Sequence, residues 1–262
     1  MEPAAPEPGL AKELSHLGED LLLLSIRRPE GTLATSSRIN YGLMGSELIR
    51  LAALRRVDVD QRRITVLTAE ATGDAELDAA LASLAGGRSP RPKTWVGRPR
   101  RGIREAYLER LVAAGTVRGQ RGGLLGRMRW AVTDPERVER VRNQLDAIAE
   151  STGPVTLAQA AFGGLAHAVG LDRYLYPRFA ERRLRWRLAE VGKGQAAVDA
   201  TESAARAASA AATSAATQAA TSAAIQAATD AAIQAAVQAS TAAAISAAAS
   251  ASADAGGHAG HH

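Results

Sequence analysis

Seven basic side chains and no carboxylate fall between Arg88 and Arg104: Arg88, Arg91, Lys93, Arg98, Arg100, Arg101 and Arg104. Guanidinium groups make paired, charge-assisted hydrogen bonds to phosphate and carboxylate oxygens, so such a run is a candidate anion site. Arg101 and Arg104 are its sharpest pair. Three residues apart at the start of a helical pattern, they are expected on one helix face. The free backbone N–H groups of a helix entrance would lie beside them. Cations at that position oppose the helix dipole by about 0.3–1 kcal/mol each, a cost that a bound anion relieves. The plainer alternative is surface pairing with Glu105 and Glu109.

Downstream lies Gly122-Gly123-Leu124-Leu125-Gly126, an apolar tip between glycines, flanked by Arg121 and Arg127. Burying two leucines in lipid contributes roughly 3–6 kcal/mol. Each arginine near an anionic leaflet adds about 1 kcal/mol. A basic surface beside a greasy tip therefore suits reversible attachment to an anionic membrane, and contact with a second subunit is the rival use of the same leucines. Trp95, inside the basic loop, is expected to be structural, with flanking a head group as its alternative role. Trp130 and Trp186 are expected to be structural, and His167 to be a packed core histidine.

Composition narrows the classes. The 262 residues contain no cysteine, which excludes disulfides, thiolate nucleophiles and cysteine-based metal sites. The net charge is +5, but residues 195–262 hold one arginine and four acids, leaving +8 on the first 194. That imbalance favours nucleic acid or an anionic membrane as a partner. Residues 1–9 are acidic and Pro-rich, without the basic start and apolar stretch of a signal peptide. Leu21–Leu24 is far shorter than the ~20 apolar residues a membrane span needs. The expectation is a cytoplasmic protein, peripheral on the inner face of a membrane. No Gly-rich phosphate loop, Ser/His/Asp set or metal-spaced histidine pair is present, so neither an enzyme nor a cofactor or metal site is expected. His258, His261 and His262 close the chain and are not read as a site.

The periodicities predict the elements that must position these groups. Leu10, Leu14, Leu17, Leu21 and Leu24 form one helical stripe, ended by Pro29 and Gly31. Ser46 is a candidate N-cap for a second helix carrying Leu48 and Leu51, and the apolar pattern from Met44 gives a slightly earlier start as the alternative. Val57–Val59 and Ile64–Val66 read as a small hairpin. Asp74 should cap a helix bearing Leu77, Leu81 and Leu84, and residues 86–101 read as a loop. A helix with Ile103, Tyr107 and Leu111 inside should stop at Gly115. Met128, Trp130 and Val132 alternate with Arg127, Arg129 and Ala131, the period of a strand with one apolar and one polar face. Asp134 and Pro135 start a further helix, and two more fit 154–169 and about 172–191. From Thr213 a four-residue Ala-rich unit recurs. It favours helix, but its β-branched stripe drifts by about 40° per unit, so a lone or fraying helix is expected. The domains predicted are a disordered tail over 1–9, a helical domain over 10–194 and a low-complexity tail over 195–262. The fold class is mainly α: a compact helical bundle with a small projecting β-hairpin.

An ordered set of segments resembles the Golgi phosphoprotein 3 family. They are Leu21–Leu24 with Arg27–Gly31, Ile39–Leu43 with Leu48–Ala52, Thr72–Asp74 with Leu77–Leu81, Arg101–Glu105, and Leu165–Ala168. The similarity spans about residues 14–191. It implies a mainly helical domain with a projecting hairpin. Eukaryotic members bind phosphatidylinositol 4-phosphate on Golgi membranes and hold glycosyltransferases by their cytoplasmic tails. Their hairpin is linked to oligomer contacts and membrane insertion. The family's arginine pair falls on Arg101 and Arg104. Its tryptophan and a further arginine fall on Thr35 and Met44, so half of the lipid pocket is absent, and Arg38 is the nearby candidate to replace it. The preference for arginine over lysine, with abundant Ala and Gly, points to a GC-rich prokaryotic gene, for which a Golgi role does not transfer. The partners expected are anionic phospholipid or phosphoinositide membranes, a homo-oligomer and membrane-protein clients. A winged-helix-like nucleic-acid module, with Arg118, Arg121, Arg127 and Arg129 on its wing, is the alternative from another class. The exposed leucines argue against nucleic acid. An adaptor for membrane-enzyme tails is the third reading.

Overall fold

The computed structural model describes residues 8–35, 38–60, 62–86, 89–122, 127–193 and 208–226, with Thr229, Gln234 and Gln238. Gly123–Gly126, with the Leu124/Leu125 tip, lies outside the described residues, as do Arg88 and the terminal histidines. The architecture is mainly α, with two separate two-stranded antiparallel sheets among the described residues.

The leucine stripe near the N-terminus folds as two helices, α1 (Pro8–Glu13) and α2 (Leu17–Ser25). Between them the Ser15 hydroxyl donates to the Lys12 carbonyl at 2.8 Å, a local bond that competes with continued helix. Pro8 and Gly9, expected in a disordered tail, belong to α1. The four leucines Leu21–Leu24 are all buried, which makes α2 the centre of the bundle. Beside it runs α3 (Ile39–Ala53), also buried along nearly its whole length. Ser46 does not cap it. It sits mid-helix, fully buried, with its hydroxyl donating to the Leu43 carbonyl at 2.8 Å.

The small hairpin forms as expected from β1 (Val57–Val59) and β2 (Ile64–Val66), with Val57 opposite Val66. The Asp74 carboxylate caps α4 (Ala75–Ala85) by accepting the Glu76 and Leu77 amides. The stretch read as loop contains a single helical turn and a half, α5 (Pro92–Val96), started by its proline. Next come α6 (Ile103–Ala113) and the second hairpin, β3 (Val117–Gly122) and β4 (Arg127–Val132). Asp134 caps α7 (Pro135–Glu150) through the Arg137 amide. α8 (Leu157–Ala168) opens on a reciprocal Thr156/Gln159 cap. The helix expected over 172–191 is broken at Pro177. It appears as α9 (Leu171–Leu175), a 3₁₀ turn (Phe179–Glu181) and α10 (Arg182–Gly192).

α8 and α10 cross backbone to backbone. A Cβ on Gly164 would stand 2.6 Å from the Gly192 Cα, so no larger residue fits at the crossing. The Thr213 side chain closes the same spot. Residues 208–226 are helical, and Ala208, Ala212, Ala215, Ala216 and Ala220 are buried. This corrects the expectation of a lone helix. The repeat does drift, with Thr213 buried and Thr217 exposed. Ala212 faces Gly45 of α3, and Thr213 faces Gly164 of α8 and Gly192 of α10. The compact unit therefore runs on to Ala220, beyond the boundary expected near residue 194.

Candidate functional site

A buried ion-pair frame fixes the basic loop. Glu47 of α3 is fully buried and accepts Nη1 and Nη2 of Arg100 at 2.7 and 2.8 Å. Arg100 also donates to Glu76 at 2.9 Å. Burial pushes the Glu47 carboxyl up to about 7, against the opposing pull of Arg100. Asp74 joins Arg50 at 2.7 Å and Arg110 at 2.8 Å, and Arg110 reaches Glu19 at 2.8 Å. Desolvation would raise Asp74, but the two guanidinium groups together outweigh it and hold the carboxyl down at about 2.

With Arg100 pinned inward, the next residue is thrown outward. Arg101 is exposed, and Gly102 at φ +79° turns the chain into α6. Arg104 is the second residue of α6. It is half-buried, with Nη2 2.7 Å from Glu105 Oε1. That bond holds the Glu105 carboxyl below its ordinary range. Arg101 therefore precedes the helix, and the expected shared helical face is replaced by one residue before the entrance and one just inside it.

The remaining sites expected from the sequence separate. Trp95 is buried, and its indole N–H is spent on the Ser83 hydroxyl at 3.1 Å, so it is a core residue and offers no face to a head group. Met44 is buried in the core and presents nothing polar. Thr35 is buried, and its carbonyl accepts the Arg38 and Ile39 amides at 2.9 Å each, which starts α3. Arg38 is the N-cap residue of α3, half-buried, its guanidinium lying against Gly170 at the start of α9.

Arg38 lies against Gly170, whereas the Arg101/Arg104 pair follows Arg100, which is anchored on Glu47 in the middle of α3. A Cβ on Gly18 would touch both Ser46 of α3 and Tyr107 of α6, while Asp74 bridges Arg50 of α3 and Arg110 of α6. The two helices thus keep step in the same direction, with the entrance of α6 beside the middle of α3. The second hairpin is held to the loop that leads from α2 to α3. The Trp130 amide donates to the Gly31 carbonyl at 2.8 Å, and Gly31, at φ +68°, closes the turn after α2. A Cβ at Gly31 would press on the Trp130 backbone at about 3 Å.

The hairpin exposes Arg118, Arg121 and Arg129. Its register sets Gly119 opposite Trp130 and Arg121 opposite Met128. Arg121 therefore lands on the face expected to be apolar, and Met128 is 47% exposed. Arg127 pairs with Gly122 at the last rung before the tip.

Three further groups depart from the sequence reading or were missed by it. Trp186, expected to be structural, is 62% exposed, and Phe179 is 83% exposed. His167 is half-buried, with Nδ1 2.8 Å from the buried Asp172, so it partners that carboxylate instead of packing in apolar surroundings. A groove between α4 and α6 is lined by Asp74, Glu76 and Glu109, but Asp74 and Glu76 are already engaged by arginines. Among the described residues no helix is long and apolar enough to cross a membrane.

Residues 17–212 match the family model described as Golgi phosphoprotein 3 (GPP34). No curated protein matches the chain.

Proposed function

This chain belongs to the Golgi phosphoprotein 3 family, and from that premise we propose that it is a peripheral membrane protein that holds anionic lipid head groups where α6 begins. The observation that carries the reading is the split between neighbours in the basic loop. Arg100 is consumed by Glu47 and Glu76, and this inward anchor presents Arg101 to solvent one residue before a helix entrance. Arg104 stands just inside that entrance. A phosphate placed there meets guanidinium donors and the first amides of α6 together. The hairpin supports the same reading, since it carries exposed Arg118, Arg121 and Arg129 beside an exposed Met128. The Leu124/Leu125 tip supplies the apolar part of the contact in this proposal.

With Met44 buried and Thr35 in the core, the pocket has fewer polar contacts than a stereospecific inositol site requires. Charge is accordingly the main determinant, and phosphatidylinositol 4-phosphate, phosphatidylglycerol and cardiolipin are expected to bind in order of head-group charge. Liposome flotation across these lipids is the test. Arg101→Glu/Arg104→Glu is expected to abolish flotation, and Leu124→Ser/Leu125→Ser to weaken it by tenfold or more. Both variants floating like the parent would refute the proposal. A duplex oligonucleotide at low salt is the control for a nucleic-acid role, and no binding is expected.

A further inference from the structure

α10 is entered through the 3₁₀ turn without a break, and the large side chains that this path exposes fall at i, i+3, i+4 and i+7. They are Phe179, Arg182, Arg183 and Trp186, and all four are exposed. The spacing places them on one face. The opposite face is the anchored one. Leu188 and Val191 are fully buried, and the Gly164–Gly192 crossing locks α10 on α8. The stripe is therefore a rigid, convex ridge with two large aromatic rings at its ends and two guanidinium groups between them.

Its surroundings are basic. Arg173 and Arg178 are exposed, and Arg185 is half-buried. Glu181 lies in the same stretch, but its carboxylate is spent on the Arg178 amide at 2.9 Å. Asp172 is buried against His167. Arg187 is held by the Ser151 hydroxyl and the Gly153 carbonyl. Glu150 is the one exposed carboxylate on the groove that Trp186 and Arg183 rim. A basic helix face carrying Trp and Phe fits the boundary between head groups and acyl chains, where an amphipathic ring sits with its N–H in water. Aromatic rings of this size left in water on a monomer mark an interaction surface.

We propose that the Phe179–Arg182–Arg183–Trp186 ridge is a second membrane-contact surface for an anionic bilayer, separate from the arginines at the α6 entrance and from the hairpin. This rests on the peripheral-membrane reading above but not on its arginine site.

The test uses the full chain and phosphatidylcholine vesicles with and without phosphatidylglycerol. Phe179→Ser/Trp186→Ser is expected to lower partitioning onto the anionic vesicles by roughly tenfold, with unchanged far-UV dichroism because both rings lie outside the core. Brominated acyl chains are expected to quench tryptophan fluorescence in the parent. In a Trp130→Phe background, Trp186→Phe should keep binding and lose most of that quenching, since Trp95 is buried. Retained binding by the Ser/Ser variant, or unchanged quenching in Trp186→Phe, overturns the proposal. If Arg101→Glu/Arg104→Glu alone loses binding, the first reading stands and this one falls. Failure of the parent to bind anionic vesicles overturns both. Loss of self-association in the Ser/Ser variant without vesicles would assign the ridge to a second copy and overturn the bilayer proposal.

Discussion

Arg100 and Arg101 are adjacent, carry the same charge and do opposite work. What separates them is Glu47, 53 positions upstream, and Glu76, neither of which the basic run itself announces. A count of charges locates the loop but not the side chain that turns inward. Trp95 is structural as first expected, and the head-group alternative falls because the Ser83 hydroxyl, which the Arg-rich stretch does not announce, draws its ring inside. The pairing has a measurable consequence. Arg100→Met leaves a fully buried carboxylate without its partner, which should cost about 3–5 kcal/mol in urea unfolding at about pH 8. The sign of the pH dependence follows from Glu47. Its folded value, about 7, stands above its ordinary 4.5, so the stability it contributes is whole below about 4.5 and is lost as pH rises through about 7. Removing Arg100 removes the pull toward the charged form and deepens that loss. The variant should therefore be much closer to the parent at about pH 5. An equal deficit at both pH values would mean that Arg100 stabilises through packing of its stem.

At the scale of elements, local signals were legible and non-local ones were not. Asp74 and Asp134 cap helices as their sequence predicts, because a cap is completed within three residues. The start of α3 was less clear, since the hydroxyl of Ser46 bonds back within its own helix and the true N-cap, Arg38, makes no side-chain capping bond. The single helix expected over 172–191 ignored Pro177, and with it the turn that brings Phe179 to the surface. Asp74 is where local and non-local roles meet, as it caps α4 and anchors both Arg50 and Arg110. Asp74→Asn keeps an N-cap acceptor but removes the charge. It should destabilise the protein while leaving α4 helical by far-UV dichroism. The folded carboxyl, at about 2, lies below its ordinary 3.8. The stability it contributes is present above about 3.8 and is lost as pH falls through about 2. The parent should therefore lose stability steeply over that window and the Asn variant only shallowly. Parallel acid-unfolding curves would remove Asp74 from the account.

At the scale of the whole molecule, the bundle and both hairpins could be foreseen from periodicity and from the family resemblance. The docking of the Ala-rich helix could not. Its composition predicts helix, but the surface that receives it is assembled from Gly45, Gly164 and Gly192, which only the fold brings together. Small residues on both sides allow close backbone approach, and the many short contacts replace the large side chains the segment lacks. The two descriptions of this helix make opposite predictions. Ala212 is fully buried, 3.5 Å from where a Gly45 Cβ would stand, whereas Ser214, two residues on, is exposed. If the helix is docked, Ala212→Leu overpacks the seam and should cost about 1–3 kcal/mol. Thermal unfolding should then fall by roughly 2–4 °C per kcal/mol for a chain of this size. Ser214→Leu should be close to neutral. A free helix would treat the two leucines alike, because each then changes only an intrinsic propensity worth a few tenths of a kcal/mol. Differential scanning calorimetry of the pair decides between them, and equal melting temperatures would return the segment to solvent.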